Sequence, residues 1–540
     1  SVSLSSACGA HRKIDAMSFQ AKIKQLEKTV SAGIHEVYSG LNRPDYGVPP
    51  KLGGDSPQQI NWLVILVLIL VIASIGVGLF LDHSCRGKWM EGRPRFWSIL
   101  LLLASYLLLI PGLSNPVFSF SIVINVIGHR KVVEPEAGHP VCTETTMGLA
   151  HLLWKTGSKI GAFLVILFSM VIPGLELIML ILGESFRFAS AKCAEVFRWV
   201  ILWVQHRSKW ASPDMFAYVL LVDLVRTLNI DPLILSRARL EIGFSCFSTF
   251  VVTATVSSLG IPLPQVQMKA GERPSAPFLL RLLGARGVAV IAAMLTMLFV
   301  PLFLKGVYTP CMSFHIETKQ LFPPYGPLPE SAKPAIDILD LKDLLRSETS
   351  IASCIRDYLA RLSEWEANTF ISLALLVFCV VGSTLLDMLF LMLAALELAG
   401  FGSCFKILKV TFGLTWIDMA RVLRKLSMLD VAMVGVYLVT VCMSMYAKYG
   451  VVVSLEDGMM ILLASEIVHS VTYQVVDSAV SHVEMEQELR EMELEHLTDD
   501  GDGSPQQSLS GLPSCCTRWP GPMSPPGKTS FFPARLFSYP

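Results

Sequence analysis

The chain has 540 residues, 52% of them hydrophobic and only 16% charged, and its mean hydropathy is +0.54. Soluble domains carry about 25% charged residues, so this composition excludes a soluble globular protein. Lys plus Arg equal Asp plus Glu at 44 each, and net charge therefore supplies no argument for nucleic-acid binding.

Twelve cysteines occur without a single C-x-x-C pair, and Cys515 and Cys516 are adjacent in the tail; neither a zinc site nor a disulfide framework follows from them. The first residue is Ser, as expected of a processed or N-terminally incomplete chain. Residues 1–60 read as an extramembrane segment in which Ile23, Leu26, Val30 and Ile34 recur at helical spacing among Lys and Glu. That amphipathic stretch, 15–38, is expected to pack on a neighbour or lie at a membrane interface.

A hydrocarbon core about 30 Å thick is crossed by ~20 helical residues. Nine apolar runs approach that length: 61–81, 96–118, 159–183, 214–231, 244–262, 287–306, 369–398, 428–447 and 451–476. The weakest is 214–231, which contains Asp223 and Arg226 and is stopped by Pro232. The longest connection, 307–368, opens with PPYGPLP at 323–329 and then places Ile351, Ile355, Leu359 and Leu362 at helical spacing, as in a small extramembrane helical insertion. After the last run, 483–497 reads as an acidic helix, and 498–540, rich in Gly, Ser and Pro, reads as disordered.

Lys and Arg in the loops set the expected orientation. Loops 82–95, 184–213, 263–286 and 399–427 together carry 18, whereas 119–158, 232–243 and 448–450 on the opposite side carry six, and the loop 307–368 on that side has more acids than bases. The basic side is expected to be cytosolic, which places the C-terminus in the cytosol.

Self-similarity is the most informative feature. NPVFSFSI at 115–122 recurs as TPCMSFHI at 309–316; the apolar helix at 164–182 resembles that at 373–393, each with one acid, Glu176 and Asp387. SKWASPDMFAYVLLV at 208–222 lines up with RKLSMLDVAMVGVYL at 424–438, matching Lys209 with Lys425 and Asp214 with Asp430, and LEIGF at 240–244 matches LEDGM at 455–459. Two copies of one membrane unit are expected to enclose a site near their interface.

KLSMLDVAMVG in the second copy resembles the Trp-Ser-Met-x-Asp-Val-Phe signature of the paraquat-inducible protein A family, and the first copy keeps Trp210, Ser212, Asp214 and Phe216. LLLIPGLSNPVFSF at 107–120 resembles that family's first helix, and FSMVIP at 168–173 its second. The resemblance implies a membrane protein of inner-membrane type that works with MCE-domain tunnel proteins to move lipids between membranes. It covers roughly 96–262 and 287–476. The zinc-ribbon cysteines that precede each module in bacterial relatives are absent, and Glu176 stands near the position where the family's second helix carries a Lys.

The fold class read from the sequence is thus an all-α polytopic membrane protein of about nine transmembrane helices: an additional span at 61–81, a four-helix module at 96–262, a second at 287–476 interrupted by 307–368, and the tail 477–540. Ionisable groups inside a spanning helix cost about 2.5–3.5 kcal/mol on insertion scales and face a protein interior or a watery cavity. Two roles are open to Glu176 and Asp387: a polar site for a lipid headgroup or a proton, or an interhelical hydrogen bond that fixes packing. Glu466 and His469, three apart, form either a relay or an internal pair, and Asp223 with Arg226 is expected to neutralise itself on one face. Asp214 and Asp430 are expected to serve the first turn of their helices. Pro111, Pro116, Pro173, Pro301 and Pro310 break or end helices.

No phosphate-cradling loop, H-E-x-x-H or G-x-S-x-G occurs, so the chain is read as a non-enzyme without cofactor or metal. The expected partners are membrane lipids and, by resemblance, an MCE-type lipid-transfer protein, with no nucleic acid. The preferred reading is lipid transport or lipid homeostasis; the rivals are a proton- or ion-coupled carrier of a small solute and a non-transporting membrane scaffold.

Overall fold

In lipid a backbone has no water to bond, so apolar runs satisfy their own N–H and C=O groups as helices. The computed structural model of the chain describes residues 57–85, 93–126, 129–132, 141–186, 191–229, 234–262, 276–316, 346–401, 415–444 and 451–499. The amphipathic segment 15–38, the Pro-rich stretch 323–329 and the tail from 500 onward lie outside the described residues. Among the described residues, eight helices are long and apolar enough to cross a membrane: Gln58–Cys85, Phe96–Ser114, Lys159–Ser185, Ile242–Leu259, Phe278–Tyr308, Ala367–Gly400, Trp416–Met443 and Asp457–Gln487.

The ninth expected span, 214–231, is a helix of only fifteen residues, Pro213–Thr227, buried along nearly its whole length. Protein surrounds it on nearly every side. Two further expectations are corrected by extended structure at helix ends. The run 96–118 stops as a helix at Ser114 and becomes a strand from Pro116, and the run 451–476 begins as a strand, Val451–Leu455, before its helix starts at Asp457.

Contacts group the chain into two units. The first comprises Ser1–Val266, Phe299–Leu385 and Arg424–Ile467. It contains α1 (Pro57–Cys85), α2 (Phe96–Ser114), β1 (Pro116–Val126), β2 (His129–Val132), β3 (Cys142–Thr145), α3 (Thr146–Thr156), α4 (Lys159–Ile166) and α5 (Ile172–Ser185), the last two joined by a π-helical turn at Leu167–Val171. After them come α6 (Ala191–Arg207), α7 (Pro213–Thr227), β4 (Ile234–Leu240) and α8 (Ile242–Leu259). Asp82 near the end of α1 accepts from the backbone N–H groups of Phe96 and Trp97 at 2.9 and 3.3 Å, supplying acceptors for the open start of α2. Helix α8 runs antiparallel to α2 and is largely buried; its small polar residues permit the close approach, with Ser105 donating to Thr253 at 2.7 Å.

β1 is the centre of a four-stranded antiparallel sheet, flanked by β4 on one side and by β2 and β3 on the other. Later in the same unit, after α9 (Phe278–Tyr308), β5 (Met312–Ile316) is the centre of a three-stranded antiparallel sheet, between β6 (Ser347–Thr349) and β7 (Val451–Leu455). The two sheets share their closing contacts. Glu241 N donates to Val117 O at 2.9 Å and Glu456 N to Cys311 O at 3.1 Å. A Cβ on Gly243 would lie 2.6 Å from the carbonyl oxygens of Asn115 and Pro116, and one on Gly458 would lie 2.4 Å from those of Thr309 and Pro310. Both glycines are required by that approach of backbone to backbone.

The expected helical insertion is present as α10 (Ile351–Ala360), opened by a capping box between Ser350 and Ser353. Its Cys354 thiol donates to Asp223 at 3.0 Å and its Tyr358 hydroxyl to the Val219 carbonyl at 3.1 Å, fixing α10 against α7. Burial, and then the neighbouring Asp223 carboxylate, push the Cys354 thiol well above its ordinary range; burial pushes Cys311 up to about 12. The expected Asp223–Arg226 pair does not form. Arg226 instead donates to Ala238 O at 2.7 Å and reaches Glu366 at 3.7 Å. Asn61 of α1 bonds Trp365 O and Ala367 N, both at 2.9 Å, holding the additional N-terminal helix to the start of α11 (Ala367–Ala374).

The second unit comprises Gln267–Leu298, Leu386–Leu423 and Val468–Pro540. Within it lie most of α9, most of α12 (Ser383–Leu396), most of α13 (Trp416–Leu426) and the later part of α15 (Asp457–Asp499); α14 (Leu429–Met443) belongs to the first unit. The expected acidic helix at 483–497 is the continuation of α15, a single helix of 43 residues.

Candidate functional site

Four of the expected intramembrane groups are placed as follows. Glu176 on α5 belongs to the first unit, is 3% exposed, and its Oε1 has no hydrogen-bond partner among the described residues. Asp387 belongs to the second unit, where its Oδ2 lies 2.8 Å from His469 Nε2, both side chains fully buried. Glu466 forms a 2.8 Å salt bridge with Arg424 in the first unit. Residues three apart on one face each found a partner on another helix, because a buried charge is best neutralised by a group with room to align.

The module signature converges in the first unit. Lys209 is 3% exposed and its ammonium reaches Asp430 at 2.9 Å and the Ser427 carbonyl at 2.9 Å, joining the two signature segments directly. Its sequence match, Lys425, donates to Gln205 Oε1 at 3.0 Å, and Gln205 in turn donates to the carbonyls of Ser258 and Ile261. Trp210 lies under the Arg207 guanidinium, 5.5 Å from ring centroid to charge. Asp214 and Asp430 each accept from the next residue's N–H at 3.0 Å, the first-turn role expected of them.

The prolines divide by position. Pro111 and Pro301 lie inside α2 and α9. Pro173 follows the π-helical turn, which removes the need for a proline N–H, and its carbonyl accepts from Tyr106 at 2.9 Å. Pro116 opens β1, and the Pro310 carbonyl accepts from Gly458 N at 2.9 Å; these two shape strand junctions.

Between α3, α4, α7 and α14, beside β1 and β3, is an apolar cavity with about 490 Å³ of unfilled space, part of it open to the outside and about 30 Å³ of it wide enough for the centre of a water-sized sphere. Leu149, Val165, Tyr218, Leu438 and Met443 are among its walls. At its Tyr218 edge, on the protein side, Asp214 Oδ2, Tyr218 Oη and Thr146 Oγ1 are buried without hydrogen-bond partners.

One cluster was missed in the sequence. In the second unit Arg421 is 2% exposed and its guanidinium donates to Asp477 at 2.8 Å, Ser481 at 2.8 Å, Asp418 at 3.3 Å and Glu484 at 3.5 Å. The signal was present: positions 477, 481 and 484 make an i, i+4, i+7 polar stripe on one helix. Among the described residues no group of three or more His, Cys, Asp or Glu is placed to share a metal ion.

No curated protein matches this chain. Among solved structures, a crystal structure of SecDF in super-membrane-facing form aligns with 74% of this chain and 63% of that one, less than two thirds of its length, at 13% identity; its TM-score of 0.15 carries no argument about the fold. The sequence model of the family Paraquat-inducible protein A matches residues 135–261. That segment holds Glu176, Lys209, Trp210 and Asp214, and seven of the thirteen residues around the cavity. The chain is a multi-pass membrane protein whose residues 135–261 are similar to the paraquat-inducible protein A family.

Proposed function

We propose that the protein handles membrane lipids, binding a hydrocarbon chain in the cavity between α3, α4, α7 and α14 as a step in lipid transport. The observation that carries this reading is the cavity itself: its walls are apolar, and more than half of them come from the segment that matches the family. An empty apolar space of this kind is filled favourably by hydrocarbon and unfavourably by water. The recurrence of one order of elements, with a central strand after the first long helix and a closing strand before the last, supports two tandem copies of one membrane unit. The excess of Lys and Arg in alternate loops supports a cytosolic C-terminus, and the family resemblance supports an MCE-type lipid-transfer protein as partner.

The test is native mass spectrometry of the purified full chain, followed by exchange of labelled phospholipid between vesicles and reconstituted protein. Val165→Phe and Leu438→Phe, which fill the space from opposite walls, should lower bound lipid and slow exchange while the protein remains monodisperse. Unchanged lipid content and exchange in both folded variants would remove the cavity from the mechanism.

A further inference from the structure

Asp214 is completely buried in the first turn of α7, and its Oδ1 accepts from Met215 N–H. A buried carboxyl group is neutralised by a countercharge or by a proton. The sequence-matched Asp430 has one, because its Oδ2 lies 2.9 Å from the Lys209 ammonium. Asp214 Oδ2 has no partner among the described residues, and the Lys that matches Lys209 is turned to Gln205 instead.

The surroundings supply oxygens rather than cations. Tyr218 stands one helical turn along α7 from Asp214, with Thr146 beside its hydroxyl, and neither oxygen is hydrogen-bonded to any other described group. Ser169, on the π-helical turn, also faces Asp214, but its hydroxyl proton is committed to the Val165 carbonyl. A hydroxyl has one proton to donate, so Ser169 turns lone pairs toward an oxygen that also carries lone pairs. Two such oxygens repel unless a carboxylic-acid proton or a cation lies between them. All four residues lie in the first unit, and the adjoining cavity has room for a water-sized particle.

We propose that Asp214 Oδ2, Ser169 Oγ, Tyr218 Oη and Thr146 Oγ1 hold a small monovalent metal cation of the sodium type. One carboxylate balances a single positive charge, and a set of neutral oxygens suits a hard ion; divalent calcium or magnesium takes more carboxylates or keeps its own water. The break in α4–α5 made by the π-helical turn and Pro173 places Ser169 where a regular helix would have carried it elsewhere. This site is separate in chemistry from the hydrocarbon cavity and does not depend on lipid being the cargo.

The experiment is thermal unfolding of the purified full chain in sodium, potassium and choline chloride at equal ionic strength, repeated over a pH series and with ethanolamine hydrochloride as a soluble ammonium. Sodium should raise the melting temperature saturably with concentration, as ligand linkage requires. Asp214→Asn should abolish that dependence. Ser169→Ala and Tyr218→Phe, which keep the fold if the Asn variant does not, should each raise the half-saturating sodium concentration about tenfold. Equal melting in all the chloride salts, a dependence on pH alone, an equal effect of ethanolamine, or an unchanged sodium response in the Ser169 and Tyr218 variants would each overturn the proposal.

Discussion

Ser119 donates a 2.6 Å hydrogen bond to Glu241 across 122 residues of chain. The same bond is made by their sequence matches: Ser313 donates to Glu456 at 2.5 Å across 143 residues. In both places a serine in a central strand is tied to the glutamate that follows the closing strand, and a glycine two residues later packs on the carbonyls that precede the central strand.

Loss of this tie should be measurable. Ser119→Ala leaves Glu241 with Arg239, which holds it at 2.7 Å, and should cost about 1–2 kcal/mol. Gly243→Ala and Gly458→Ala drive a methyl group into backbone and should cost more, about 3 kcal/mol or above. Denaturant titration of the three variants in detergent checks the order.

The Lys209–Asp430 bridge should behave as a coupled pair. Lys209→Met strands Asp430 and should destabilise by about 3–5 kcal/mol, whereas Lys209→Met with Asp430→Leu should recover much of that loss. A double-mutant cycle on unfolding free energy reads the coupling.

Asp387 and His469 call for the same treatment within their own unit. Asp387→Asn keeps the volume but removes the charge, and His469→Leu leaves a fully buried carboxylate; the second should be the more damaging. Heat stability of the two variants at one pH decides it.

Arg421→Lys should be far from conservative. The guanidinium addresses Asp477 through Nε, Asp418 through Nη1, and Ser481 and Glu484 through Nη2, a fork that a single ammonium cannot reproduce. Limited proteolysis should cut the region after Asp477 faster in Arg421→Lys than in the parent.

Thiol chemistry gives a pH-dependent check. The thiolate is the reactive form, and Cys311, raised from 9 to about 12, holds little of it at neutral or mildly alkaline pH. Maleimide at pH 8 should spare Cys311 and the still more strongly raised Cys354 in native protein while modifying exposed Cys85. The sign for stability follows: the neutral Cys311 thiol favours the fold in full below pH 9, and that contribution falls away as pH rises toward 12.

Long apolar runs were legible because nothing but a helix satisfies a backbone in lipid, and eight of the nine carry through. Pro213–Thr227 is shorter than these eight and lies buried in protein, and burial in protein and burial in lipid select the same apolar residues. The strands were masked by their position at the ends of apolar helices, although Phe118, Ser119, Phe120 and Ser121 alternate with the period of two that marks a strand. Helix α6 was concealed in a segment read as a basic loop. Of the polar groups, Lys209, Asp214 and Asp430 are legible from the matched signature segments, yet no spacing rule could say that Lys209 would reach across to the segment that holds Asp430. The Arg421 cluster was missed because its basic member had been counted only as a loop charge.

The placement of β1 and β5 at the centres of their sheets has a temporal consequence. Each is synthesised well over a hundred residues before the strand that closes its far edge. At about 5–20 residues per second, a nascent chain holds β1 with an open edge for several seconds or longer. Unpaired edges recruit other chains, so during biogenesis this protein is most exposed to misassembly in that interval. Truncations ending before Ile234 or Val451 leave one of these edges permanently open.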